Sequence, residues 1–414
     1  MAVSETLRPA GRIAFSHPNF VLYLTARWFI VFTVEMQSVA VGWQVYDITK
    51  RPLDLGLIGL AQFLPGIFLF LASGHSADRY DRRKLLTLCY AGYGTCSALL
   101  LGITLLSRSH SVALIYAVMV MLGVVRSFAG PVTRAILPQL VPDEHFQNAV
   151  AWNSSTNQSA TILGPAIGGV IYALFRGPSA VYTAAVCTAV IAVFSTLRIK
   201  FLARPRPREP ISVKTVLAGL HYIWRKKVVL GSVSLDLFAV LLGGAVALLP
   251  VYAREILKTG PWGLGLLRCS PAIGAGSMAV LLAHRPLKGR TGATMLWCVA
   301  GFGVFTILFG LSHNLILSMV ALVLVGAADM VSVMIRAILV QLATPDEMRG
   351  RVNAVDMIFI GASNEFGQFE SGVTAAWFGA VPAVVLGGIG TLIVTALWAW
   401  GFPDLRKADR LVEQ

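Results

Sequence analysis

Gly74-His75-Ser76-Ala77-Asp78-Arg79-Tyr80-Asp81-Arg82-Arg83-Lys84 separates two apolar runs, residues 55–73 and 85–106. Each run approaches the ~20 residues a helix needs to cross a bilayer. The stretch between them is too short to fold alone and too charged for hydrocarbon. It reads as a tight aqueous turn between two membrane helices. Its four cations, Arg79, Arg82, Arg83 and Lys84, place that turn on the cytoplasmic side.

The rest of the chain repeats this pattern. Of 414 residues, 56% are hydrophobic and only 13% charged, and mean hydropathy is +0.72. Twelve spans are expected, at residues 19–44, 54–75, 85–106, 112–137, 146–174, 178–198, 228–252, 261–284, 291–311, 315–342, 351–377 and 381–402. Met1 to Ser16 is polar and basic, with no cleavable leader, so the run from Phe20 is the first span. The net charge of +14 does not form a nucleic-acid-binding face. Its cations fall in alternate loops, with Arg8, Arg12, Arg285, Lys288, Arg290, Arg349, Arg351, Arg406, Lys407 and Arg410 on the same side as the quoted stretch. Both termini and the middle connection are therefore expected in the cytoplasm. The five cysteines lie inside apolar runs without metal-ligand spacing, so neither disulfides, metal nor cofactor is expected.

Two halves repeat. Arg134-Ala135-Ile136-Leu137 returns as Arg336-Ala337-Ile338-Leu339, Pro142-Asp143-Glu144 as Pro345-Asp346-Glu347, and Asn148-Ala149-Val150 as Asn353-Ala354-Val355, each about 200 residues later. The expected fold is all-α and integral to the membrane, with twelve transmembrane helices in two pseudo-symmetric six-helix halves. The division is 1–198 for the first half, 199–227 for a basic cytoplasmic linker, 228–402 for the second half and 403–414 for a cytoplasmic tail. Arg204-Pro205-Arg206-Pro207 in the linker opposes helix, and residues 213–224 are expected to lie along the membrane face.

Ionisable residues inside spans need a partner or a wet cavity. Counting depth, Glu35, Arg126, Asp329 and Glu365 fall closest to the midplane, with Arg27, Asp236, Arg268, Asp356 and Glu370 also inside spans. A carboxylate that meets a cation in one state and a dry wall in another exchanges a proton between them. Glu365, Glu35, Arg126 and Asp329 are accordingly the candidates for proton coupling, with Glu365 first. Static salt bridges compete as the explanation for Arg27, Asp236 and Arg268, and a structural role is preferred for Asp356. The candidate substrate cavity combines Arg27, Trp28, Asn153, Asn157, Asp236, Asn364, Gln368 and Glu370. Phe32, Phe63 and Tyr252 are further aromatic candidates, while Trp43 and Tyr46 read as interface anchors.

Three motifs resemble those of the major facilitator superfamily: the loop Gly74, Asp78, Arg79, Arg82, Arg83; Leu122-Gly123-Val124-Val125-Arg126 with Gly130; and Gly164-Pro165-Ala166-Ile167-Gly168-Gly169. Asp81, Ala129 and Ala160 depart from the usual residues at their places. The resemblance implies a major facilitator fold, a gating loop, proton coupling at Arg126 and, through Gly164, Pro165, Gly168 and Gly169, antiport. The runs 41–49, 57–83 and 361–367 resemble the bacterial branch of siderophore (enterobactin) exporters and of macrolide and multidrug exporters. That implies efflux of a siderophore or drug-like molecule in exchange for protons, by a monomer contacting membrane lipids in the bacterial inner membrane. Asp78 is expected to cap the start of span eleven across the halves, and Arg79 and Arg82 to pair with nearby acids or lipid phosphate. Broad multidrug efflux and lysophospholipid movement remain open on the same fold. An enzyme, receptor or ATP-driven pump is disfavoured, because no HExxH, nucleotide loop or Ser/His/Asp set is present.

Overall fold

The computed structural model describes residues 10–106, 111–200, 213–285 and 291–407. The linker prolines, together with Arg8, Arg108, Lys288, Arg290 and Arg410, lie outside the described residues, as does the side chain of Asp78. Among the described residues there are helices and no strands. After a 3-10 turn at Ala10–Ser16, the chain forms α1 (Pro18–Thr49), α2 (Pro52–Arg79), α3 (Arg82–Leu106), α4 (Ser111–Ile136), α5 (Phe146–Leu174) and α6 (Pro178–Leu197). From residue 213 onward come α7 (Val213–Arg225), α8 (Lys227–Leu242), a broken stretch containing the single turn α9 (Leu249–Val251), and α10 (Gly260–His284). The remainder is α11 (Thr291–Leu311), α12 (Leu315–Ala343), α13 (Asp346–Phe378), α14 (Ala380–Gly401) and the short α15 (Pro403–Arg406).

Local chemistry sets the ends. Pro18, Pro52 and Pro178 sit in the first turns of their helices, where the missing N–H costs nothing and φ is already helical. Asn314 caps α12 by accepting from Ile316 N and Leu317 N. Asp81 caps α3, its Oδ1 accepting from Arg83 N at 2.9 Å and Lys84 N at 3.1 Å. The expected tight turn is shorter still than residues 76–84. Residues 74–79 continue α2, and only Tyr80 and Asp81 separate the two helices. One capping aspartate suffices to restart the helix.

Ten helical stretches are long and apolar enough to cross a membrane among the described residues. The two further long helices, α5 and α13, are too polar to meet that measure, yet they pack in the centre of the bundle against α1 and α10, and α2 and α8, respectively. Polarity and central placement go together, because backbone and side chains here face protein and cavity instead of lipid. Span seven also differs from expectation. It breaks at Gly243 and Gly244, then runs through a 3-10 turn and a π-helical turn to Ile256. A Cβ on Gly244 would lie 2.6 Å from the Gly367 carbonyl oxygen, so the break lets two backbones touch. Helix α7 forms within the linker, over the residues, 213–224, expected to lie along the membrane face. Tyr222 anchors it on the Ala343 carbonyl at 2.5 Å, while Leu217 and Trp224 remain exposed.

At the start of α1 a second contact holds the amino-terminal turn. His17 Nε2 and His145 Nδ1 are 2.9 Å apart, and Phe15 packs edge-on against Trp152. Burial, then the neighbouring His145, lowers the His17 pKa below its ordinary 6.5. A depressed histidine pKa gives docking stability that is complete above 6.5 and declines as pH falls through the folded value. Amide exchange of residues 13–20 is therefore expected to quicken below pH 6.5, after correction for intrinsic rates. A flat profile from about pH 5 to 8 would contradict this.

Candidate functional site

The helices α1 to α5, α10 and α13 enclose a cavity of about 360 Å³ lined by Arg27, Glu35, Arg126, Asn157, Arg268 and Glu365, with Gln62, Tyr90, Tyr93 and Gln368. Arg126 Nη1 donates to Glu365 Oε1 at 2.9 Å across 239 residues of sequence. The Arg126 side chain is 58% exposed and that of Glu365 only 9%, so a wet guanidinium meets a nearly dry carboxylate. Gln368 Nε2 donates to the other oxygen, Glu365 Oε2, at 3.2 Å. Arg268 Nη1, from α10, donates to the Ser38 carbonyl of α1 at 3.2 Å. The predicted midplane residues Glu35, Arg126 and Glu365 thus share one cavity, and two of them form an ion pair between α4 and α13.

Arg27 and Asn157 also meet, with Arg27 Nη2 donating to Asn157 Oδ1 at 3.1 Å. Asn153 stands one turn from Asn157, its Oδ1 enclosed and without a hydrogen bond. Trp28 does not line this cavity. It stacks on Phe32 and donates from Nε1 to Ser159 Oγ at 3.0 Å, which turns it into the α1–α5 contact. Glu370 is likewise elsewhere. Five residues beyond Glu365 is about 140° around a helix, and Glu370 faces an outer groove between α8 and α13, bonded by Thr374 Oγ1 at 2.7 Å.

Asp329, Asp236, Asn364 and Gln368 line a second cavity, of about 310 Å³, between α8, α12 and α13. Its wall holds a residue the sequence reading did not single out as a charge. Arg336 Nη2 lies 3.4 Å from Asp236 Oδ2, and its Nη1 2.6 Å from Asp356 Oδ1. Only 4% of the Arg336 side chain is exposed. Its repeat partner Arg134 is exposed and reaches Met357 Sδ at 3.7 Å, so the repeat alone did not reveal a buried role.

The glycine motif of α5 is a contact surface on two sides. Cβ atoms on Gly164 and Gly168 would meet Glu35 Cβ at 2.7 Å and the Met36 carbonyl at 2.8 Å on α1. One on Gly169 would lie 2.6 Å from the Pro261 carbonyl of α10. Pro165 is buried in the same helix, and its carbonyl would lie 2.5 Å from a Cβ on Gly265. Gly169→Val is expected to lower thermal stability by about 1–3 kcal/mol through overpacking. The check is a melting curve of the purified variant, and an unchanged curve would remove the close contact as a requirement.

The end of the bundle near Thr49 is held shut by polar contacts. Tyr46 donates its hydroxyl to Glu255, Arg254 pairs with Asp47, and the Arg254 guanidinium lies 5.6 Å over the Trp43 ring. Trp43 and Tyr46 are therefore buried, 9% and 2% exposed, and do not serve as lipid anchors. Tyr252 is buried too, donating to the Gly310 carbonyl at 2.9 Å. Phe63 meets Phe366 edge-on, with ring centroids 5.4 Å apart. At the other end, Gly74 lies within α2. Arg82 donates to the Ala135 carbonyl at 3.3 Å and Arg83 to that of Leu197. These cations cap the last turns of α4 and α6, where the helix dipole favours them. Arg79 closes α2 as a last-turn cation.

The family model described as transmembrane secretion effector matches residues 13–411. The enterobactin exporter EntS of Shigella boydii serotype 4 (strain Sb227) is 27% identical over 398 residues, covering 95% of this chain and 94% of that protein. The enterobactin exporter EntS of Escherichia coli O139:H28 (strain E24377A / ETEC) matches to the same extent, 27% over 398 residues with the same coverage. Among solved structures, a bacterial homologue of the human lysosomal transporter Spinster, inward-facing and occupied, superposes with a TM-score of 0.72 at 14% identity, covering 94% of this chain and 98% of that one. A D-xylose–proton symporter gives 0.70 at 14% identity, covering 92% and 97%. The protein is a multi-pass membrane transporter of the major facilitator fold and belongs to the transmembrane secretion effector family.

Proposed function

We propose that the protein exports a small organic molecule, a siderophore or drug-like compound, from the cytoplasm across the bacterial inner membrane in exchange for protons. The observation that carries this reading is the Arg126–Glu365 pair inside the cavity. Residues 1–198 and 228–402 act as the two moving halves, joined by the linker 199–227, with both termini and the tail 403–414 cytoplasmic. Contacts at the Thr49 end seal the outside, so the cavity belongs to the state that loads from within. A proton on Glu365 removes the charge that holds Arg126 across the halves, and the bistable bundle shifts toward its other arrangement. Glu35 and Arg268 stand beside the pair as the groups that receive the displaced charge. Asp329, walled off in the second cavity, is assigned a subsidiary proton role. A monomer suffices for this cycle.

A second reading, movement of a lysophospholipid, draws support from the groove between α8 and α13, lined mainly by apolar residues, Leu237, Leu241, Phe366, Phe369 and Trp377, beside Glu370. Transport into proteoliposomes under an imposed pH gradient separates the readings, with a catecholate siderophore, a cationic dye and a fluorescent lysophospholipid offered in parallel. Gradient-driven movement of the siderophore is expected. Movement of the dye alone shifts the assignment to multidrug efflux, and movement of the lysophospholipid alone overturns small-molecule export.

A further inference from the structure

We infer that Arg27, Tyr90 and Asn157 form a subsite for an acidic oxygen group of the transported molecule, a carboxylate or an ionised phenol. The inference rests on the cavity being the transport site. Three guanidiniums line that cavity, and each has a different status. Arg126 is matched by Glu365. Arg268 donates to a carbonyl and shares its wall with Glu35. Arg27 has no carboxylate within ion-pair distance among the described residues; its Nη2 donates to a neutral group, Asn157 Oδ1, at 3.1 Å.

An orphaned polar atom lies at the same place. Arg27 Nε is enclosed and makes no hydrogen bond, and the Tyr90 hydroxyl, on a residue with 0% exposure, lies against Arg27 and Thr133. Both residues line the cavity. Arg27 stands nine residues into α1, about 14 Å along its axis, where an uncompensated cation is costly. A guanidinium on the cavity wall whose partners, Asn157 and Tyr90, are both neutral groups is a donor short of an anionic acceptor. The acceptor that also offsets the charge is an anionic oxygen, for which guanidinium geometry is suited. Three arginines against two glutamates repel a permanently cationic molecule from the cavity as a whole.

Arg27 is a different residue from the Arg126–Glu365 pair, so substrate acid and proton occupy different groups. Exchange is then enforced by the change in conformation, and the acid does not have to displace the proton from a shared carboxylate.

Isothermal titration of the purified protein in nanodiscs tests this with salicylate and its neutral amide, salicylamide. Wild-type protein is expected to bind the acid more tightly than the amide. Arg27→Gln is expected to weaken salicylate by at least about tenfold and Tyr90→Phe by about threefold, with the amide unaffected. Arg27→Lys keeps the charge and is expected to weaken the acid less than Arg27→Gln. A melting curve of each variant confirms folding. Equal affinity for salicylate in wild type and Arg27→Gln overturns the subsite, as does wild type that fails to bind the acid up to about 10 mM or prefers the amide. Gradient-driven flux is measured on the same wild-type preparation. Acid binding through Arg27 without any flux defeats the export reading and leaves the subsite standing. Siderophore flux with Arg27-independent binding does the reverse.

Discussion

Glu365→Gln is expected to abolish pH-gradient-driven transport, to the rate of protein-free liposomes, while leaving a folded protein. The amide matches the carboxylate in shape but carries neither its charge nor its exchangeable proton. Gln368, 3.2 Å from Glu365 Oε2, keeps a partner when the amide oxygen occupies that place. The cation left behind is Arg126, whose side chain is 58% exposed to the cavity, so water covers it and the penalty of an unpaired buried charge is largely avoided. Arg126→Ala is expected to lose transport as well, but at a larger cost in stability. It strands Glu365, only 9% exposed, without its counter-ion. Normal gradient-driven flux in Glu365→Gln removes this residue as the proton carrier.

Arg336→Met has the opposite signature. Its guanidinium is 4% exposed and holds Asp236 and Asp356, themselves 7% and 17% exposed. Removing one member of such a group leaves carboxylates buried without compensation, which typically costs about 3–5 kcal/mol. Melting of the purified variant should show a loss of that order, a large share of the roughly 5–15 kcal/mol margin of a folded protein. The triple substitution Arg336→Met, Asp236→Leu and Asp356→Leu is expected to recover most of it, because apolar packing substitutes well for a buried ion group. If Arg336→Met melts like wild type, the trio is solvated in the membrane protein and its structural role falls.

The contrast between these residues shows where sequence reading reaches and where it stops. Depth along a span is a matter of counting, and counting put Glu35, Arg126 and Glu365 at the level where they share a cavity. Pairing is not a matter of counting. The bond between Arg126 and Glu365 spans 239 residues and depends on how α4 and α13 approach. Arg336 was hidden by its own repeat, since its counterpart Arg134 sits exposed at a helix end. Angular position misled for Glu370, which shares a polar stretch with Glu365 but faces the groove between α8 and α13. Charge density misled at residues 74–79, where the helix continues as far as Arg79. Trp43 and Tyr46 lie near a span end, as anchors do, yet they are consumed by the contact with Arg254 and Glu255.

Fold and family were legible because apolar period, loop charge and repeat offset are properties of the chain itself. The break at Gly243 and Gly244 was not, because it answers to the Gly367 backbone of another helix. The same holds for the α5 glycines: their density was visible, but not that Gly164 and Gly168 serve α1 while Gly169 serves α10.

The most direct test of the account is proton counter-movement in proteoliposomes. A pH-sensitive dye trapped on one side reports proton flux when a transported siderophore is added in the absence of an imposed gradient. Obligatory exchange predicts protons moving opposite to the siderophore, in wild type but not in Glu365→Gln. Siderophore movement with no proton flux, or with protons travelling in the same direction, would contradict it.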